Sequence, residues 1–337
     1  MERRGVSFGI SLGVSPRESF WHTVDVVKSA ETYGFERVYI TDVPLSMKDC
    51  YVALALCAVN TSKILLGTGV TNPLTREAAT TASAISAIHE LSRGRAILGL
   101  GSGYSAVLPV GLPMATVDQV EEVMTYIRTI CEGKAYIKNG LTVRLATAQG
   151  AMPIYLAASQ PRMLRLAGRL ADGVILMGGA DPEFAKWQLE HIRAGATKAG
   201  RAFEDIVIDL WFALSMAPDS EKALDEVRPW AVSQADTFSK YKVLPEFLAP
   251  FREDIVRAGQ GYERLDHLSR HARHKGLISD ELVRKLAIVG DVEECVRRLA
   301  ELTALGIRRM TLALVPGGRQ ERLRIIATQL MPQLQTV

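Results

Sequence analysis

The chain has 337 residues, is 48% hydrophobic and 23% charged, and carries 40 Lys+Arg against 37 Asp+Glu for a net charge of +3. That composition suits a large core and excludes a disordered chain. The charge, spread without a long like-charge block, excludes the basic footprint of a nucleic-acid binder. At about 150 residues per domain two domains would be expected, yet α/β barrels routinely run past about 250 residues as one.

In chain order, strands alternate with helices. Residues 6–13 read as a strand; Ser15-Pro16 then opens an amphipathic helix to Tyr33, closed by Gly34. A strand follows at 37–42 and a helix at 48–60, then a strand at 63–71 and a helix at 78–91. The fourth strand, 96–101, leads through a Gly/Pro-rich loop to a helix at 117–132, and a hydrophilic hairpin is expected at 134–144. The fifth strand, 154–158, passes through Pro161 into a helix at 162–170. Strands six and seven fall at 173–177 and 206–217, with a helix at 183–199 between them, and the eighth at 309–315 precedes a terminal helix from Gln320 to about Leu334. Strands that are continuously apolar rather than alternating are buried on both faces, as in a parallel sheet covered by helices. Eight strand–helix steps without a shift of composition predict one (β/α)8 TIM barrel over 1–337. A charge-rich helical insertion at 219–285, broken into pieces by Pro229, Pro245 and Pro250, separates strands seven and eight.

The uncharged run 96–117 could cross a bilayer by count, but Gly99, Gly101, Gly103, Pro109, Gly111 and Pro113 forbid one continuous helix. Cys50, Cys57, Cys131 and Cys295 form no CxxC pair and fit isolated buried thiols of a reducing compartment. With no signal-peptide pattern at the start, a cytoplasmic protein is expected, without membrane or nucleic-acid partners.

A barrel of this kind builds its site at the carboxyl ends of its strands. There stand Asp42, the run 67–73 (GTGVTNP), the run 99–104 (GLGSGY), the run 157–161 (AASQP) and Gly178-Gly179. Small residues on four neighbouring rims leave clearance for a large flat ligand or for a phosphate approached by backbone N–H groups. Ser159-Gln160-Pro161 opens a helix, which suits an anion or, more simply, a helix cap by Ser159. GLGSG is not a dinucleotide fingerprint, because Tyr104 stands where GxGxxG needs its last glycine and the run follows the fourth strand.

The run GTGVTNPLTREAATTASAISAIHELSRGRAILGLGSG (67–103) resembles the luciferase-like flavin and deazaflavin oxidoreductase superfamily, and within it most the methylenetetrahydromethanopterin reductases. PIYLAASQPRMLRLAGRLADGVIL (153–176), the closing segment 281–312 and TYGFERVYITD (32–42) agree, so the resemblance spans nearly the whole chain. It implies a non-prolyl cis peptide at Gly69-Val70, a bulge behind the middle ring of a tricyclic cofactor, with Thr71 and Asn72 following it. It also implies an aspartate, Asp42, at the cofactor's edge, and backbone at Gly101, Ser102 and Gly103 along its ring and ribityl chain. Ala158, Ser159, Gln160, Gly178 and Gly179 match phosphate-binding rims. Deazaflavin-dependent sugar-phosphate dehydrogenases of the superfamily have His, Glu and Lys where this chain has Val43, Tyr104 and Ala180. Without that acid–base pair an alcohol dehydrogenase is disfavoured, whereas reduction of C=N or C=C needs only a proton source: Tyr104, Asp42 or solvent.

The resemblance therefore implies a coenzyme F420-dependent reductase, with an FMN-dependent monooxygenase as the alternative and a non-catalytic binding barrel as a third reading. It further implies a homodimer. The apolar loop 105–115 leans toward an apolar or aromatic small-molecule substrate. No metal is expected: His267, His271 and His274 share a helical face, but Arg264, Arg270, Arg273 and Lys275 are interleaved and would repel a dication. His89, at a helix end, reads as a packed or capping residue.

Overall fold

The computed structural model describes residues 5–217, 219–263, 276–315 and 317–334. Its strands are β1 (Ser7–Leu12), β2 (Arg37–Ile40), β3 (Leu65–Thr68), β4 (Ala96–Leu100), β5 (Tyr136–Lys138) and β6 (Leu141–Val143). They continue with β7 (Ile154–Ala158), β8 (Gly173–Leu176), β9 (Val207–Phe212), β10 (Leu214–Met216), β11 (Ile288–Gly290) and β12 (Arg309–Ala313). The helices are α1 (Phe20–Thr32), α2 (Cys50–Asn60), α3 (Ala78–Leu91), α4 (Tyr104–Val107), α5 (Val117–Cys131) and α6 (Pro161–Leu170). After them come α7 (Pro182–Lys198), α8 (Ser220–Phe238), α9 (Arg252–Gly261), α10 (Asp280–Leu286), α11 (Val292–Ala304) and α12 (Arg319–Ile325).

Eight strands close a parallel barrel in the order β1-β12-β9-β8-β7-β4-β3-β2, as the continuous apolar runs require. Every residue of β2, β4 and β8 is buried. The expected hairpin is the antiparallel pair β5–β6. Side chains acting as caps fix where helices begin: Ser19, Asp49, Asp181 and Asp291 each accept a first-turn N–H, and Thr116 with Gln119 makes a capping box on α5.

Two expectations need correction. The seventh strand, expected as one piece over 206–217, is divided: β9 stays in the barrel, while β10 leaves it and pairs in parallel with β11. Pro229 does not break the insertion either, because α8 runs through it from Ser220 to Phe238. Val227, Trp230, Ala231 and Val232 are buried around it, and that packing outweighs the backbone hydrogen bond a proline removes. Pro245 and Pro250 do lie at and within a short 3-10 segment, Glu246–Phe251. The His267, His271 and His274 face lies outside the described residues.

Inside the barrel the side chains stack in layers, because residues two apart along a strand share a face. The lowest layer is polar. Asp209 accepts from Arg37 Nε (2.8 Å) and Nη2 (3.2 Å), from Tyr39 Oη (3.0 Å) and from Thr311 Oγ1 (2.7 Å). Arg37 and Asp209 are both wholly buried. Above them Tyr39 packs on Trp211, ring centroids 4.8 Å apart, with Ile97, Tyr155 and Ile175 completing an inner apolar cluster. All four cysteines are free and buried, and burial pushes the Cys57 and Cys295 thiols up to about 12. Among the described residues no helix is long and apolar enough to cross a membrane.

Candidate active site

A cleft of about 1270 Å³, the space at its open mouth included, lies over the carboxyl ends of the barrel strands. Its walls come from the ends of β1 (Ser11–Gly13), β2 (Thr41–Val43), β3 (Gly69, Val70), β4 (101–106) and β7 (157–159), and from Met177, Trp211 and Leu314. Met47, Ala313, Arg319 of α12 and the α8 residues Trp230, Ser233, Gln234 and Thr237 complete the lining.

On the β3 side the Gly69-Val70 peptide is cis, as the resemblance implied. The chain leaves the β3 ladder there and rejoins β4 at Thr71, which pairs with Leu100. The bulge rests on the inner cluster, for a Cβ on Gly69 would lie 2.8 Å from Tyr39 Cβ and 3.1 Å from Trp211. Asp42 is 3% exposed and ties the bulge to the next helix. It accepts from Thr71 Oγ1 at 2.8 Å and from Arg76 Nε at 3.1 Å and Nη2 at 3.4 Å. Burial works against the charge of Arg76, but hydrogen bonds to Asp42 and Asp49 outweigh it and raise its pKa above the ordinary value. Both oxygens of Asp42 thus accept hydrogen bonds from protein donors. Thr71 is buried beside it, and Asn72 folds its own loop by accepting from the N–H groups of Leu74 and Thr75.

Beside the bulge, Gly101, Ser102 and Gly103 form a wall from which nothing larger than a serine side chain projects. Gly103 adopts φ +86° and starts α4, the short helix that carries Tyr104 into the cleft. Tyr104 Oη donates to Asp236 Oδ2 at 2.5 Å, across 132 residues of sequence. Asp236 belongs to α8 and is completely buried, with Lys240 Nζ 3.8 Å from its other oxygen. The three departures from the sugar-phosphate dehydrogenase pattern have structural counterparts. Val43 is buried and lines the cleft, Tyr104 is held by Asp236, and Ala180 is sealed beneath the insertion, its N–H bonded to Leu286 O.

At the third rim, Ala158 and Ser159 line the cleft. Gln160, not Ser159, is the N-cap residue of α6, and its side chain makes no capping bond. The simple reading of Ser159 as a helix cap therefore falls: its carbonyl accepts from Tyr241 Oη (3.0 Å), and among the described residues no side chain caps the first turn of α6. Burial pushes the Tyr241 hydroxyl's pKa up.

Of the residues singled out from the sequence, Asp42, Gly69, Val70, Gly101, Ser102, Gly103, Tyr104, Ala158 and Ser159 line one cleft. Thr71, Asn72 and Gln160 do not line it. Gly178 and Gly179 do not line it, and packing accounts for both glycines. At φ +137° and +117°, their Cβ atoms would fall 2.0 Å from the Phe184 ring and 2.7 Å from the Leu286 backbone. His89 lies half-buried in the last turn of α3, away from the cleft. Sequence reasoning missed Asp236 and the α8 face of Trp230, Ser233, Gln234 and Thr237. The spacing 230, 233, 234, 237 is one helical face, with polar residues where a helix lying on a core would be apolar, and that was the available signal.

The chain matches the family model described as luciferase-like monooxygenase over residues 6–309. It is similar to the 5,10-methylenetetrahydromethanopterin reductase of Methanolobus tindarius, at 31% identity over 332 residues covering 94% of this chain and 97% of that one. The F420-dependent glucose-6-phosphate dehydrogenase of Nakamurella multipartita is 28% identical over 341 residues, covering 93% of this chain and 92% of the relative. Among solved structures, the coenzyme F420-dependent tetrahydromethanopterin reductase from Methanopyrus kandleri is similar with a TM-score of 0.80 at 26% identity. That likeness covers 98% of this chain and 99% of the other.

Proposed function

This chain belongs to the luciferase-like monooxygenase family, and from that premise we propose that it is a coenzyme F420-dependent reductase acting on a C=N or C=C bond of a small organic substrate. One observation carries the reading in a chain whose full-length relatives bear F420 names. The cleft runs without a break from Ser159, beside the uncapped amino end of α6, to the side-chain-poor wall at 101–103 under the Val70 bulge. Those residues fit a flat tricycle with a phosphate-bearing tail. When bound, the reduced deazaflavin supplies the hydride.

The chain's own residues do the rest. Val70 and the 101–103 backbone support the ring, Asp42 and Arg76 hold Thr71 and hence the bulge, and Ser159, Gln160 and the α6 N–H groups take the phosphate. Ala158, Val43, Met47, Met177 and Leu314 keep the cleft dry. Tyr104 provides the proton at the substrate by turning its O–H from Asp236 to the reacting atom, and solvent restores the proton to the phenolate; Asp236 sets where the phenol oxygen stands. The apolar lining favours a substrate with an apolar or aromatic body. The chain works as a homodimer, which would cover surface such as Val52 and Val59 of α2, 48% and 62% exposed; a monomer in sedimentation would remove that part of the reading. Anaerobic titration with F420 and with reduced FMN tests the cofactor. Binding of FMN alone would select the monooxygenase alternative, and binding of neither the non-catalytic barrel.

A further inference from the structure

One wall of the cleft is the α8 face. Gln234 is 4% exposed and Ser233 7% exposed, and both line the cleft between Trp230 and Thr237. Among the described residues no hydrogen bond engages either side chain; Thr237 Oγ1 donates to the Ser233 carbonyl, not to its hydroxyl. With the body of the residue packed away and no protein partner for the amide among the described residues, its donors and acceptor are left for whatever fills the cleft. Leu or Met would serve as well at this position if only packing mattered.

We infer that Gln234, assisted by Ser233, reads the edge of a planar heterocycle that offers an N–H and a C=O side by side. This deepens the reductase reading by naming the hydrogen-bonding class of the ligand, and it rests on that reading only for which molecule brings the edge. The amide presents one acceptor and two donors in a plane, so it matches an adjacent N–H/C=O pair by two parallel hydrogen bonds. The Ser233 hydroxyl, one position back on the same helical face, can donate or accept at a third edge atom. Trp230, on the same face, offers an aromatic surface for the ring body. A lactam-type edge can come from the substrate or from the pyrimidinedione ring of the deazaflavin. The apolar substrate lean is thereby narrowed to an aromatic body with one polar edge.

The test measures binding by isothermal titration calorimetry, using isoquinolin-1(2H)-one, which carries the edge, and isoquinoline, which lacks it. Each is titrated into the full-length protein with and without F420, alongside F420 itself. Wild type is expected to prefer the lactam by about tenfold or more, since a site built to hydrogen-bond a group rejects the analogue without it. Gln234→Leu abolishes that preference with an unchanged F420 Kd if the substrate brings the edge; it weakens F420 about tenfold if the cofactor does. Gln234→Glu, which keeps the shape but loses the donors, behaves like Gln234→Leu, and Ser233→Ala shows a smaller loss. Should Gln234→Leu fail to fold by circular dichroism, the Glu and Ala variants carry the same comparison. Equal wild-type affinity for the two bicycles, no measurable binding of either, or variants that alter neither lactam nor F420 binding would overturn the inference. A wild type that ignores F420 yet keeps the lactam preference would refute the cofactor reading and leave this recognition standing.

Discussion

Two aspartate–arginine pairs sit one above the other in this barrel, and they differ in nearly everything except composition. At the floor, Arg37 and Asp209 are wholly buried, and Asp209 is surrounded by four donated hydrogen bonds from Arg37, Tyr39 and Thr311. At the rim, Asp42 is buried but Arg76 is 23% exposed and shares itself with Asp49, which is 42% exposed. A charge pair sealed from water has no alternative partner, so it acts as a pin for the layer above it. A pair graded outward to solvent exchanges hydrogen bonds with water at little cost, so it can adjust as the cleft fills. The floor should therefore fail as a folding defect and the rim as a binding or turnover defect.

The sharpest break of that comparison is Asp209→Ala. It leaves Arg37 buried and unpaired and is expected to cost about 3–5 kcal/mol in urea unfolding. Replacing both partners with apolar residues, Arg37→Met with Asp209→Leu, should recover most of that loss. An Asp209→Ala protein of unaltered stability would show that the floor is not a pin. Next comes Tyr104→Phe at the rim, where kcat should fall about 100-fold or more with the F420 Kd unchanged, as loss of a positioned proton donor predicts. Turnover at the wild-type rate in that variant would remove Tyr104 from the chemistry. Ser159→Asp should weaken F420 about tenfold by setting a carboxylate against the phosphate, and equal affinity would displace the phosphate from this rim.

The smallest effect expected is one of pH. Burial raises the Asp49 carboxyl, but the hydrogen bond from Arg76 and the backbone N–H groups of Val52 and Tyr51 outweigh it and hold it below the usual range. A depressed carboxylate adds stability above its unfolded value and loses it as pH falls through the folded one. The share that Asp49 contributes should therefore be constant from neutral pH down to about pH 4 and fade only below that. Thermal unfolding of Arg76→Gln across this range should show a smaller loss of stability below about pH 4, because its folded Asp49 value lies nearer the unfolded one. Identical profiles for variant and wild type would make the Asp49–Arg76 contact irrelevant to stability.

The barrel was legible because parallel strands buried on both faces leave uninterrupted apolar runs, and β4 and β8 are buried at every position. The division of the seventh strand was not. Ala213, where β9 gives way to β10, is as apolar and as buried as its neighbours, and its carbonyl is claimed by Ile288 from far along the chain. Pro229 misled for a related reason, since local propensity cannot register the packing that carries α8 through it. Glycine patterns marked positions 69, 101 and 103, which line the cleft and where a Cβ would also crowd Tyr39, Val70 and Val107. They could not separate ligand clearance from the tight packing that Gly178 and Gly179 make with Phe184 and Leu286. Asp236 was invisible because its meaning comes from contact with Tyr104, much earlier in the chain, whereas Gln234 was marked only by its polar place on the 230–237 face.

The central claim, that this cleft is built for a deazaflavin, is tested most directly by anaerobic titration of the purified chain with F420 and with reduced FMN under the same conditions. Saturable binding of F420 that weakens in Ser159→Asp, with no binding of reduced FMN, is the result expected. Saturable binding of reduced FMN with none of F420 would contradict it.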